Sequence, residues 1–64
     1  MEAIVTYDGS IDVEKDDGTT ARLNLNGQRV RILSEQDNVC WCEPIGFPWT
    51  GKFSINRSFL SIID

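Results

Sequence analysis

Histidine is absent from this sequence, and cysteine and proline occur only twice each, among 64 residues. Without histidine the commonest general base is missing. Structural zinc takes four ligands from Cys and His, so Cys40 and Cys42 would need symmetry-related chains to complete a site. No metal and no cofactor are therefore expected. No Ser or Cys sits in a nucleophile elbow, and Gly9, Gly18 and Gly27 read as turn glycines rather than a phosphate cradle. No apolar run approaches the roughly 20 residues of a membrane span. Residues 1–20 carry Glu2, Asp8, Asp12, Glu14, Asp16 and Asp17, which excludes the basic and apolar regions of a secretory signal. With Met1 at the start, a complete cytoplasmic chain is expected.

Two cysteines two residues apart on a strand lie about 6.5–7 Å apart, at or past the limit for a disulfide. Free thiols fit a reducing compartment. A single domain spanning residues 1–64 is all the length allows. It buries only about 60% of its unfolded surface, so its core is thin.

The net charge of −4 is unevenly spread. Residues 1–18 hold six acids and Lys15, for −5; the remainder holds five bases and four acids, for +1. An acidic protein is repelled by phosphate backbones at long range, so general nucleic-acid binding is disfavoured. The pair Asp12 and Glu14 lies in a polar stretch, where a solvated acidic face is the ordinary reading.

Turn signals recur at short spacing: Asp8-Gly9, Asp16-Asp17-Gly18, Asn26-Gly27, Gln36-Asp37-Asn38, then Gly46, Pro48 and Gly51. Between them lie short runs rich in β-branched and aromatic residues, the pattern of an all-β sandwich or barrel. Expected strands are Ala3 to Tyr7, Ser10 to Lys15, Val39 to Glu43, Lys52 to Ile55 and Phe59 to Ile63. Asn56-Arg57-Ser58 fits one 3₁₀ turn, and Ile45 to Thr50 reads as a loop. The clearest expected hairpin centres on Asn26-Gly27, since Asn-Gly supplies the two positive-φ positions of a type I′ turn. Alternation on its two sides places Leu23, Leu25, Val30 and Ile32 in the core and sends Arg29 and Arg31 out together.

In order, these segments resemble an SH3 domain. Ala3-Ile4-Val5-Thr6-Tyr7 stands where SH3 domains open with Ala-Leu-Tyr-Asp-Tyr, and residues 8–21 stand for the long variable loop. Leu23 to Leu33 follows the Leu-x-Phe, glycine turn and Asp-x-Leu-x-Ile-Leu series. Cys40-Trp41-Cys42 matches the Trp-bearing strand, and Gly51-Lys52-Phe53-Ser54-Ile55-Asn56 the closing motif. The resemblance implies a small antiparallel barrel of five to seven short strands. The groove residues depart from the family: Val5 replaces a tyrosine, Ser54 the proline, and Cys40 holds the place of the ligand tryptophan. Tyr7 and Asn56 carry over; Trp41 does so after a one-residue slip. Proline-rich recognition is therefore not implied.

Trp41, Phe47, Trp49 and Phe53 form a dense aromatic set. Phe47 and Trp49 sit in a Gly/Pro-bounded loop, where they serve either as binding anchors or as a plug for one end of the barrel. The expected function is a small non-catalytic module for protein–protein interaction or regulation of a partner. Tyr7, Trp41, Phe47, Trp49 and Asn56 are the candidate contacts, and the acidic N-terminal part suits a basic partner. The alternatives are nucleic-acid binding through Arg22, Arg29, Arg31, Lys52 and Arg57 with Trp stacking, and an enzyme whose site lies between several such barrels. A thin core and surplus aromatics also suggest a symmetric dimer through Trp41, Phe47 and Trp49.

Overall fold

The computed structural model describes residues 1–48 and 50–63. Seven strands run in chain order: β1 (Glu2–Val5), β2 (Ser10–Lys15), β3 (Thr20–Asn24), β4 (Arg29–Gln36), β5 (Val39–Pro44), β6 (Gly51–Asn56) and β7 (Leu60–Ile62). A single 3₁₀ turn, Arg57–Phe59, separates the last two. The architecture is all-β, as the alternation and turn spacing require. Every pairing is antiparallel, in the order β3-β2-β6-β5-β4-β1-β7. The ladder is not closed, because β3 and β7 stand at its two ends without pairing.

Alternation fixes the two faces. Ala3 and Val5 of β1, Ile11 and Val13 of β2, Cys40 and Cys42 of β5, and Phe53 and Ile55 of β6 point inward with Leu25 and Val30. Leu23, Ile32, Tyr7, Phe47 and Leu60 pack around this cluster, half-buried. No polar or charged residue is buried among those described.

The hairpin expected at Asn26-Gly27 is not one. β3 pairs with β2 and β4 pairs with β1 and β5, so the two flanking strands never meet. The Gln28 amide donates to the Leu25 carbonyl (2.8 Å), closing a turn in which Gly27 has φ +83° and Asn26 does not have a positive φ. That combination suits a type II turn, which steers the chain from one part of the sheet to the other. The Gly27 amide then donates to the Val5 carbonyl and the Val5 amide to the Gln28 carbonyl, tying the corner to β1. The tight type I′ hairpin lies instead between β4 and β5. Asp37 (φ 53°) and Asn38 (φ 65°) both adopt the left-handed region, and Gln36 pairs with Val39 across them.

Within β4 the register shifts between Ile32 and Ser34, leaving Leu33 as the extra residue of a bulge. Ile32 faces Cys42 on the inner side, whereas Ser34 faces Trp41 on the outer side. The same shift turns Glu35 toward Cys40 at one end of the core, where its carboxylate meets the Arg57 guanidinium at 2.5 Å.

The β2–β3 hairpin closes through local polar contacts. Asp17 Oδ1 accepts from the Thr19 amide (3.0 Å) and the Thr19 hydroxyl (2.6 Å), and these bonds hold its carboxyl below the ordinary value. The hairpin tip rests on the segment leading into β6. There the Asp16 amide donates to the Thr50 carbonyl (3.3 Å) and the Thr50 hydroxyl to the Asp16 carboxylate.

Candidate binding face

The order of strands spreads one continuous outer face over β3, β2, β6, β5 and β4. Trp41 lies near its middle. Its neighbours in sequence, Cys40 and Cys42, are wholly buried, so alternation sends the indole outward, where 36% of the residue is exposed. This resolves the orientation of β5: the thiols are core and the tryptophan is surface.

Two shallow hollows flank the indole. One, of about 340 Å³, is lined by Ser34, Gln36, Asp37, Val39 and Ser54 together with Trp41. The other, of about 300 Å³, is lined by Asp12, Glu14, Thr20, Lys52, Phe53 and Ser54 together with Trp41. The first is the more apolar, with Val39 exposed beside the ring. The second carries two carboxylates from the outward positions of β2 and one ammonium from β6. Trp41 is thus a ridge between an apolar and an acidic depression. A third hollow of about 370 Å³, lined by Lys15, Asp16, Asp17, Pro48 and Thr50, continues the acidic surface at the β2–β3 tip.

The other candidate residues are placed differently. Tyr7 is half-buried, and its ring meets Phe59 with centroids 4.8 Å apart. Asn56 caps the 3₁₀ turn, its side chain accepting from the Ser58 amide at 2.9 Å. Phe47 is half-buried and packs against the core. Trp49 lies outside the described residues. Among the described members of the partner-binding set, Trp41 alone lines both hollows.

The five basic candidates do not form one patch. Arg22 meets Asp12 at 3.1 Å, Arg29 meets Glu2 at 2.5 Å, Arg31 meets Glu43 at 3.0 Å, Lys52 lies 4.0 Å from Asp16, and Arg57 holds Glu35. Each cation is partly neutralised by a carboxylate, and the pairs are distributed over both halves of the sheet and the 3₁₀ turn. Arg29 and Arg31 do project together, as alternation requires, but each is matched from a neighbouring strand. These pairs are exposed and exchangeable, worth about 0–1 kcal/mol each.

Cys40 and Cys42 are free and buried. Burial pushes the Cys42 thiol up to about 12, with the neighbouring Cys40 adding to the effect. Burial also raises Cys40; Glu35 adds to that and Arg57 opposes it. Both are therefore neutral thiols at pH 7, poor nucleophiles and poor metal ligands. No cluster of three metal-ligating side chains occurs among the described residues. Among the described residues, no helix is long and apolar enough to cross a membrane.

No protein-family model, no curated protein and no solved structure matches the chain.

Proposed function

We propose that the chain is a non-catalytic protein-binding module whose Trp41 face receives an extended, basic segment of a partner. The observation that carries this reading is the position of Trp41 between an apolar hollow and one bearing Asp12 and Glu14. An exposed indole offers a large, rigid contact surface, and aromatic residues dominate interface energetics. The indole face attracts a Lys or Arg head group, and the two carboxylates supply the matching charge. Asp12 is engaged with Arg22 only through an exposed pair, which an incoming guanidinium can replace. The −5 charge of residues 1–18 steers such a partner from a distance. The two free thiols suit the cytoplasm.

The test uses Trp41 emission in a Trp49→Phe background. An eight-residue peptide with arginine at alternate positions is compared with its glutamate counterpart. The arginine peptide is expected to perturb Trp41, to weaken with salt, and to lose about tenfold in affinity on Asp12→Asn with Glu14→Gln. Equal binding of the glutamate peptide, or binding indifferent to Trp41→Ala, would refute the assignment. Micromolar single-strand oligonucleotide binding that disappears in Arg29→Ala with Arg31→Ala would replace it with the nucleic-acid reading.

A further inference from the structure

The two ends of the ladder are unlike. β3 ends it with Arg22 and Asn24, whose side chains are held by Asp12 and Asp8. Charged and polar side chains of this kind blunt a sheet edge against further pairing. β7 ends it with no such protection. From Ser58 to Ile63 the sequence is Ser-Phe-Leu-Ser-Ile-Ile, without a charge. Phe59, Ile62 and Ile63 are 39%, 37% and 46% exposed.

The register with β1 shows which backbone groups face outward. The Thr6 amide donates to the Phe59 carbonyl and the Ile63 amide to the Glu2 carbonyl. Hydrogen-bonded pairs recur every second residue in an antiparallel ladder, so Ser61 bonds to Ile4 while Leu60 and Ile62 point away from β1. The Leu60 amide is taken by the Arg57 carbonyl of the 3₁₀ turn. Among the described residues, the Leu60 carbonyl and both backbone groups of Ile62 remain on the open edge.

We propose that this edge pairs with β7 of a second copy of the chain, antiparallel, about a two-fold axis at Ser61. The occupant is argued from the strand itself. Phe-Leu-Ser-Ile-Ile has the same pattern in both directions, apolar-apolar-Ser-apolar-apolar. Centred on Ser61, Leu60 lies opposite Ile62 of the other copy, and the reverse. Phe59 and Ile63 flank them in the same way. The outward parity of Leu60 and Ile62 makes these the hydrogen-bonded pairs, and each Ile62 amide donates to the Leu60 carbonyl across the axis. A basic or acidic foreign strand would find no charge to match there. The two-fold pairing joins two seven-stranded sheets into one and leaves the Trp41 face, on the far side of β4 and β5, uncovered. It is independent of the function proposed for that face.

The contact is small. With side-chain areas of about 150–200 Å², the exposed fractions of Phe59, Ile62 and Ile63 provide roughly 200 Å² of apolar surface per copy. The pair falls below the roughly 1,200 Å² of a standard interface. The dimer is therefore weak and reversible, forming at about 0.1–1 mM.

Sedimentation of the native chain from 10 µM to 1 mM, with amide exchange at Ile62 and Ser61 over the same range, tests the proposal. The expected result is a monomer that becomes a dimer as concentration rises. Ile62 exchange should slow with concentration while Ser61, already bonded to β1, stays constant. Ile62→Lys, checked for fold by its near-ultraviolet dichroism, should shift dimer formation at least tenfold upward in concentration. A chain that stays monomeric at 1 mM, a dimer in which Ile62 gains no protection, or a folded Ile62→Lys that dimerises like the native chain would each overturn it. The exchange readout on the native chain decides the matter should the variant not fold.

Discussion

Raising the pH should destabilise this protein through Cys42. Its thiol has no exposed surface and titrates near 12, against 9.0 for an unburied thiol. Between those values the unfolded chain releases the proton and the folded chain keeps it. Fewer protons bound in the unfolded state means that stability falls as pH rises. The stabilising effect is whole below pH 9 and is lost on the way to the folded value. Each pH unit in that window costs about 1.4 kcal/mol. From pH 8 to pH 11 the loss is about 3 kcal/mol from this group alone, with Cys40 acting in the same direction. That is a large part of the 5–15 kcal/mol of an ordinary domain. The assay is the urea midpoint at pH 8, 9, 10 and 11, for the native chain and for Cys42→Ala. The alanine variant starts less stable, because it leaves a small cavity. Its midpoint should nevertheless fall less steeply above pH 9, and the difference between the two curves isolates Cys42 from every other group titrating there. Parallel curves would refute the reasoning. Reaction with a thiol reagent at pH 8 supplies a check, since both thiols should be silent in the folded chain and react together once it unfolds.

Two substitutions test the turns. A Cβ at Gly9 would sit 2.6 Å from the Tyr7 ring, so Gly9→Ala should displace that ring from Phe59 and cost about 1–3 kcal/mol, seen as a lost tyrosine signal in near-ultraviolet dichroism and a lower urea midpoint. Asn38→Gly should stabilise the β4–β5 hairpin by about 0.5 kcal/mol in the same measurement, because glycine adopts φ 65° without steric cost.

Period-2 alternation made much of this fold legible. It placed Leu25 and Val30 in the core and bounded β2 at Ser10 and Lys15, but in Cys40-Trp41-Cys42 it left open whether the thiols or the indole face inward, which the structure decides for the thiols. Each of these is a local property, decided by which side of a pleat a residue occupies. Asn26-Gly27 misled for the complementary reason. The same dipeptide serves a hairpin or a corner, and the choice depends on whether Leu23 and Arg31 belong to paired strands, which is a long-range fact. The bulge at Leu33 left no sign, since Leu33 continues an apolar run with Ile32. The candidate site was only partly visible. Trp41 could be named as one of a dense aromatic set, but the approach of Asp12 and Glu14 depends on β2 lying next to β6, across 38 residues of chain. The matching of each arginine by an acid was equally hidden, because Glu2, Glu35 and Glu43 come from other elements.

The extra residue in β4 also divides that strand into two parts with separate obligations. Before Leu33, a substitution at Val30 or Ile32 is felt by the hydrophobic interior, and the chain tolerates little change. After it, Ser34 and Gln36 border the hollow beside Trp41 and make no contribution to the interior. A single strand therefore carries one stretch constrained by folding and another that folding leaves free to vary. Substitutions at positions 34 and 36 change that hollow while Val30 and Ile32, earlier in the same strand, keep their packing.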